Sequence, residues 1–227
     1  MKKVFIAFVI LMLSFSAFSQ KKKHWSSGGE FILNFARIDN DGNENGNVMR
    51  FSAFLHIQAA YNIDLSKSFG IYTGAAIRNV GFIYNHPESE ERYKYRTYNL
   101  GIPFGIKIGK MTGTFLYAGY EVEFPFNYKE KRFKNEVKQE KFNVWFSNRV
   151  VKIAHGPFVG LQLPYGLNLK FKYYLNNFFN KDFVVLDDKN QPTKPYDFDV
   201  NLFYVSLSFN IFQEKGIYYN MDNVRKN

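Results

Sequence analysis

The chain contains no cysteine. That excludes disulfide staples, thiolate metal sites and a lipidated N-terminal cysteine. Histidine is scarce: His24, His56, His86 and His155 stand far apart, and none has the HExxH spacing of a zinc helix. No segment reaches the ~18 consecutive apolar residues of a membrane-spanning helix. A transmembrane strand barrel stays open, because its strands alternate rather than run apolar throughout. Acids are also few, 20 against 30 Lys and Arg, for a formal charge of +10. What the chain has in quantity is aromatic: 26 Phe and 16 Tyr in 227 residues, far too many for a disordered protein. That length suits one domain or two small ones with a substantial core.

The N-terminus argues against nucleic acid as the reason for the charge. Lys2 and Lys3 precede ten apolar residues, VFIAFVILML (4–13), and then SFSAFSQ with Ala17 and Ser19 before Gln20. This is the layout of a secretory signal peptide, residues 1–19. The apolar run covers about 15 Å as a helix against a hydrocarbon core of about 30 Å, which argues against an anchor. Removing residues 1–19 takes away two lysines and no acid and leaves +8. An exported chain does not meet cytoplasmic DNA, so no nucleic-acid partner is expected.

Period two dominates the remainder. In 51–63 the odd positions Phe51, Ala53, Leu55, Ile57, Ala59, Tyr61 and Ile63 are apolar. Segments 98–108, 167–175 and 203–211 repeat the pattern, and the apolar face is filled at all 23 positions of the four segments. Side chains of a strand alternate between faces, so this is a strand signature. Segments 29–38, 69–83, 113–126 and 153–164 read as four further strands, with Pro103 and Pro157 marking missing ladder bonds or bulges. Connections alternate between short (64–68, 109–112, 164–166) and long (39–49, 84–97, 127–152, 179–200). Seven connections make eight strands, with both ends on the short-turn side.

The expected fold is therefore all-β, an eight-stranded antiparallel up-and-down transmembrane β-barrel. It is expected to comprise residues 29–212, after a short periplasmic segment 20–28 and before a periplasmic tail 213–227. Three features favour lipid over water outside. The apolar face carries no charge, whereas an Arg or Lys facing lipid at mid-depth would cost roughly 2–4 kcal/mol. The other face is rich in Gly, Ser, Asn and Tyr, which suits a filled eight-strand interior. Aromatics gather at strand ends as a boundary belt: Tyr95, Tyr98, Phe124, Phe126, Tyr128, Phe178 and Phe179 on the loop side, and Tyr61, Phe69, Tyr165 and Phe212 on the turn side.

Several stretches, YNLGIPFGIKIG (98–109), WFSNR (145–149) and FVGLQLPYGLNLKFKYYLNNFFN (158–180), resemble the PorT-like outer-membrane β-barrel family of Gram-negative bacteria. The resemblance implies an eight-stranded barrel in the cell outer membrane and a role as accessory of protein secretion or envelope assembly. It supplies no catalytic residues. The chain departs from a common barrel pattern in that residues 213–227 follow Phe212, where an assembly signal usually ends the chain.

Candidate chemistry is thin, and no catalytic residue, metal ligand or cofactor is expected. His86 with Ser89, and His155 after Ser147, lack an acid partner on a rigid element. The stretch DNDGNENGN offers Asp39, Asp41 and Asn43 at calcium-loop spacing, but Glu44 and Arg50 stand where Gly and the closing Glu belong. Asp187, Asp188, Asp197 and Asp199 read as a polar loop. The charged loop 127–141 reads equally as a site that attracts lipopolysaccharide phosphates and as a solvated charged hairpin. Inward parity instead defines a structural polar network of His56, Gln58, Lys107, Glu121, Glu123, Gln162, Lys170, Lys172, Ser206 and Ser208, since an enclosed charge must be paired or hydrated. The sequence favours a non-enzymatic outer-membrane barrel whose long loops contact surface lipid, lipopolysaccharide, or secretion or envelope proteins. A lipid-modifying enzyme in the same barrel and a secreted soluble barrel carrying an apolar ligand are the alternatives.

Overall fold

The computed structural model describes residues 22–39, 47–86, 90–186, 190–196 and 198–213, with backbone alone at 47 and 211–213. The expected signal peptide, the tail after 213, most of the DNDGNENGN stretch, Ser89, Asp187, Asp188, Asp197 and the Phe212 side chain lie outside that description.

The described residues form thirteen strands in chain order: β1 (Lys22–Asp39), β2 (Asn47–Val48), β3 (Arg50–Ser52), β4 (Ile57–Asp64), β5 (Phe69–Asn85), β6 (Glu91–Gly109), β7 (Phe115–Lys134), β8 (Val137–Trp145), β9 (Ala154–Gln162), β10 (Leu167–Tyr173), β11 (Val185–Leu186), β12 (Pro192–Thr193) and β13 (Asp199–Gln213). Their pairing is a ring. β1 pairs β4, β4 pairs β5, and the order continues through β6, β7, β9, β10 and β13 back to β1, antiparallel throughout. With β2–β4 as one interrupted strand and β8–β9 as another, the ring has eight staves. β11 and β12 form a small separate hairpin.

The ring begins earlier than the sequence suggested. Lys22–Gly29 already pair with Asp64–Ile57, so 22–28 belongs to the barrel and is not a separate segment. Segment 51–63 is not one unbroken strand. It leaves the ladder between Ser52 and Ile57, where Leu55 takes a φ of 60°. Asn79 on β5, opposite the gap, hydrogen-bonds into it instead: its N–H donates to His56 Nδ1 at 3.2 Å. Pro103 lies at a ladder gap, because the β5–β6 register passes from Thr73↔Phe104 to Ala76↔Gly101.

The larger departure is at the loop end. Residues 84–85, 91–97, 127–134 and 137–141 are not loop but continuations of β5, β6, β7 and β8 above the rest of the ring. β7 and β8 are joined by Asn135 and Glu136, both at positive φ (49° and 63°), a two-residue turn matched to strand twist. Asn-Glu is a weak sequence signal for that turn, which is why the segment reads as a loop.

A bulge explains the other surprise. Asn99 pairs Pro125 while Tyr98 pairs Asn127, so Phe126 is an extra residue. Beyond it the parity of β7 flips, and Tyr128 turns inward and is fully buried. Tyr95, Phe178 and Phe179 are likewise buried. These four are not belt residues; they fill the mouth of the barrel. Phe179 stacks on Tyr196 with ring centroids 4.3 Å apart and meets Tyr95 and Phe82 edge-on. Tyr98, Phe126 and Trp145 do form an outward belt, with centroids 6.4 and 5.8 Å apart. Trp25 against Tyr61 marks the turn end at 5.0 Å.

Between these rings the outside of the barrel is apolar. Phe31, Ile57, Ile71, Leu100, Ile102, Phe104, Ile106, Leu116, Val159, Leu169, Phe171, Leu207 and Phe209 are all exposed, Phe104 to 61%. From Tyr98 to Ile108 on β6 the run is about 33 Å of strand, or about 25 Å in height at a tilt near 40°. Among the described residues no helix is long and apolar enough to cross a membrane, which says nothing of strands.

The aromatic plug should carry much of the stability of the loop end. Phe179→Ala is expected to cost about 3–5 kcal/mol, read by urea unfolding of the detergent-folded barrel with tryptophan emission as the probe.

Candidate functional site

Two surfaces of the barrel concentrate charge: its interior at mid-height and the faces of the sheet that projects above it.

The interior cluster centres on Arg78, whose side chain is wholly buried. β5 turns it inward between Ala76 and Val80. Its Nη1 lies 2.9 Å from Glu30 Oε2 and its Nη2 lies 3.2 Å from Glu121 Oε1. Nη2 also donates to Gln58 Oε1 at 2.6 Å. Lys170 Nζ donates to Glu30 Oε1 at 2.9 Å. Lys172 Nζ donates to Glu121 Oε2 at 2.9 Å and Glu123 Oε1 at 2.6 Å. Glu123 is completed by Asn99 Nδ2 at 2.6 Å and by the Tyr174 hydroxyl at 2.9 Å. Three cations, Arg78, Lys170 and Lys172, thus balance three carboxylates, Glu30, Glu121 and Glu123. Balance matters here because each unpaired buried ion would cost several kcal/mol. The cluster needs room, and Gly101 supplies it: a Cβ there would stand 2.6 Å from Glu121 Oε1.

The other residues named from parity are distributed differently. Lys107 is buried but sits toward the turn end, six residues along β6 from Gly101, about 20 Å at strand rise. It therefore pairs not with Glu121 or Glu123 but with Asp64, its Nζ donating to Oδ1 at 2.6 Å and to Asn62 Oδ1 at 3.0 Å. Gln162 belongs to a separate amide group. Its Nε2 donates to the Leu163 and Leu167 carbonyls, and its Oε1 accepts from Asn168 Nδ2, each at 3.0 Å. His56 bonds Ser52 Oγ at 2.7 Å. Ser206 is buried, with no hydrogen-bond partner for its Oγ among the described residues, and Ser208 lines a polar cavity of ≈ 60 Å³ at the turn end together with Lys107, Tyr117 and Gln162. So Gln58, Glu121, Glu123, Lys170 and Lys172 share one network, and the remaining five do not join it.

Arg78 and Glu30 were missed. Their inward parity follows from the strands 69–83 and 29–38, but those segments alternate less cleanly, with glycines at 70, 74 and 81, so periodicity alone does not single them out. Their opposite charges on strands of shared inward parity are the signal that could have found them.

Of the two serine–histidine pairs, the one with Ser89 lies outside the described residues, and Ser147 and His155 each bond elsewhere. Ser147 Oγ accepts the Arg149 N–H at 3.2 Å, and His155 Nδ1 is bonded to the Tyr120 hydroxyl on the outer face. Asp199 ion-pairs with Lys181 at 2.7 Å. Among the described residues, no group of three or more His, Cys, Asp and Glu could hold a metal ion.

In the projecting sheet the two faces differ. Inward, the Tyr128 hydroxyl donates to Glu130 Oε2 at 2.7 Å, Tyr196 to the same atom at 3.0 Å, and Arg132 pairs Glu140 at 3.4 Å. Arg149 ties the sheet to the plug, stacking on Phe142 at 4.2 Å and donating to Tyr196 at 2.9 Å. Outward lie Lys94, Arg96, Lys129, Lys131 and Lys141, directly above the Tyr98–Phe126–Trp145 belt.

No protein-family model matches the chain, and no curated protein matches it. Among solved structures the chain is similar to Ail, the attachment invasion locus protein of Yersinia pestis, in complex with the heparin analogue sucrose octasulfate. There the identity is 12%, covering 84% of this chain and 98% of that one, with a TM-score of 0.37. A second structure of Ail gives 14% identity over 82% and 96%, with a TM-score of 0.32. Neisserial surface protein A (NspA) gives 7% identity over 82% and 97%, with a TM-score of 0.37.

Removing the central cation tests the interior network. Arg78→Met keeps the volume but leaves only Lys170 and Lys172 to balance the three carboxylates Glu30, Glu121 and Glu123, and is expected to cost about 3–5 kcal/mol. Urea unfolding of the detergent-folded protein reads it. The double variant Arg78→Met, Glu121→Gln, which leaves two cations against two carboxylates, should recover part of the loss.

Proposed function

We propose that this chain is a non-enzymatic outer-membrane barrel that acts through its projecting sheet and loops and conducts nothing through its interior. The observation that carries the reading is the uncharged apolar zone, about 25 Å high, around a closed ring with ions and aromatics inside. Monomeric soluble proteins rarely expose contiguous apolar patches beyond a few hundred Å². The arrangement inverts that of a secreted ligand carrier, whose apolar face would line the cavity.

The interior supports a scaffold role. At mid-height the neutral network crosses the lumen through Arg78, Glu121 and Lys172. Above it the Phe82–Tyr95–Phe179–Tyr196 cluster fills the mouth. What remains for interaction is the outside of the loop end, facing outer-membrane lipid, lipopolysaccharide and neighbouring envelope proteins. The PorT-like resemblance extends this to an accessory role in protein secretion or envelope assembly, with the β5–β8 sheet as the surface a secretion protein would meet.

One experiment tests both halves. Expressed in a Gram-negative host, the protein is expected in the outer-membrane fraction, extractable only with detergent. Reconstituted in planar bilayers, it should give no stepped conductance. A protein that stays folded and dissolved without detergent would refute the membrane assignment, and reproducible channel steps would refute the closed interior.

A further inference from the structure

The outward face of the projecting sheet carries a row that strand chemistry disfavours. Lys94 on β6 stands directly opposite Lys131 on β7, and Lys131 directly opposite Lys141 on β8. Three lysines are therefore abreast, at the roughly 4.8 Å spacing of neighbouring strands. One step lower, Arg96 stands opposite Lys129. Like charges facing each other across strands are destabilising. Among the described residues, no carboxylate lies within ion-pair distance of any of the five, although Arg92 and Arg132 in the same sheet find Glu136 and Glu140. Burial and the neighbouring cations together hold the ammonium groups of Lys129 and Lys131 below the usual lysine pKa. Rings fix two of the side chains: Lys94 Nζ sits 4.7 Å from the Phe133 ring, and the Arg96 guanidinium 5.8 Å from that of Tyr98.

Position identifies the missing anion. Tyr98, Phe126 and Trp145 mark the membrane–water boundary on this side. Arg96 and Lys129 come two residues beyond Tyr98 and Asn127, and the lysine row two further, so the cations rise about 5–10 Å above the belt along tilted strands. They point sideways, on the same face as Leu100 and Ile102, toward whatever lies around the barrel rather than above it. An anion at that depth and on that side is a lipid headgroup.

We propose that Lys94, Lys131 and Lys141, with Arg96 and Lys129 beneath them, form a binding site for the phosphate groups of lipid A in the outer leaflet. The site rests on the membrane reading above and narrows it: of the charged segment 127–141 only the outward lysines take part, joined by two residues of β6 that the segment does not contain. Several cations side by side suit a headgroup carrying more than one phosphate. Counter-charge from such a lipid would offset the cross-strand repulsion and hold the sheet upright against the leaflet.

The test uses the mature protein folded in detergent, with bisphosphorylated lipid A, the same lipid with its phosphates removed, and inorganic phosphate as probes, binding being followed by native mass spectrometry. The variant Lys94→Gln, Lys131→Gln, Lys141→Gln is compared with Lys23→Gln, Lys67→Gln, Lys110→Gln, which removes equal charge at the turn end. Lipid A should bind the parent and the turn-end variant alike, and the row variant about a hundredfold more weakly, given roughly a factor of five per lysine near an anionic surface. Dephosphorylated lipid should bind all three equally weakly, and inorganic phosphate should not compete at millimolar concentration. Equal lipid A affinity in parent and row variant, equal loss in both variants, or full displacement by inorganic phosphate would overturn the site. Heat-modifiable migration in the same samples reports the folded barrel. Lost binding with a folded barrel belongs to the row alone, whereas a parent that needs no detergent would bring down the membrane reading and the site together.

Discussion

Fourteen register pairs join β1 to β13, from Ser26↔Gln213 to Asp39↔Asp199, and close the sheet on itself. The rest of the molecule depends on that seam. In hydrocarbon, a backbone N–H or C=O without a partner costs several kcal/mol, so a strand protein can cross only if no edge is left. Once the sheet closes, period two does the remaining sorting. Every strand has one face toward the outside and one toward a lumen too narrow for an open channel. Leu100, Ile102 and Phe104 go one way, and Asn99, Gly101 and Pro103 the other.

Closure makes the lumen a demanding place for charge, and the structure answers with stoichiometry. Arg78, Lys170 and Lys172 meet Glu30, Glu121 and Glu123 at distances between 2.6 and 3.2 Å. The ions come from four staves, β1, β5, β7 and β10, so the network also cross-braces the barrel. A hydrophobic plug of the same volume would be no weaker. What the ions add is specificity of register, because slipping any one strand by a residue would turn its charge into the lipid. The aromatic cluster above them seals the other half, and Arg149 couples it to the projecting sheet through Tyr196 and Phe142.

The clean alternations made most of the ring legible in the sequence. Segments 98–108, 167–175 and 203–211 state their inward and outward faces outright, and Lys107, Lys170 and Lys172 are buried on the side their parity gives. Three physical effects lay beyond that reading. A bulge at Phe126 reverses parity, and no local signal but Pro125 announces it; Tyr128 consequently changes from belt to plug. A two-residue turn at Asn135–Glu136 has no glycine to reveal it, so β8 and the upper part of β7 read as loop. Pairing partners along a lumen depend on height as well as on face. Lys107 takes Asp64 and leaves Glu121 and Glu123 to Lys172 because six residues of strand separate the two levels. Arg78 does not stand out in the sequence because β5 carries Gly74 and Gly81 within an irregular alternation, although the strand assignment itself places it inward.

The most direct test of the account asks which face of β6 meets oil. The absence of native cysteine makes it simple: Leu100, Ile102, Phe104 and Ile106 are each replaced by cysteine and labelled with nitroxide, alongside Gly113 in the turn, in barrels reconstituted into lipid vesicles. Collision with dissolved oxygen and with a water-soluble nickel chelate is then measured by electron spin resonance. Labels at the four strand positions are predicted to favour oxygen, most strongly at Ile102 and Phe104 in mid-band, while the label at Gly113 favours nickel. Strand positions as open to nickel as the turn would mean that water bathes this face, and the barrel would not be a membrane protein.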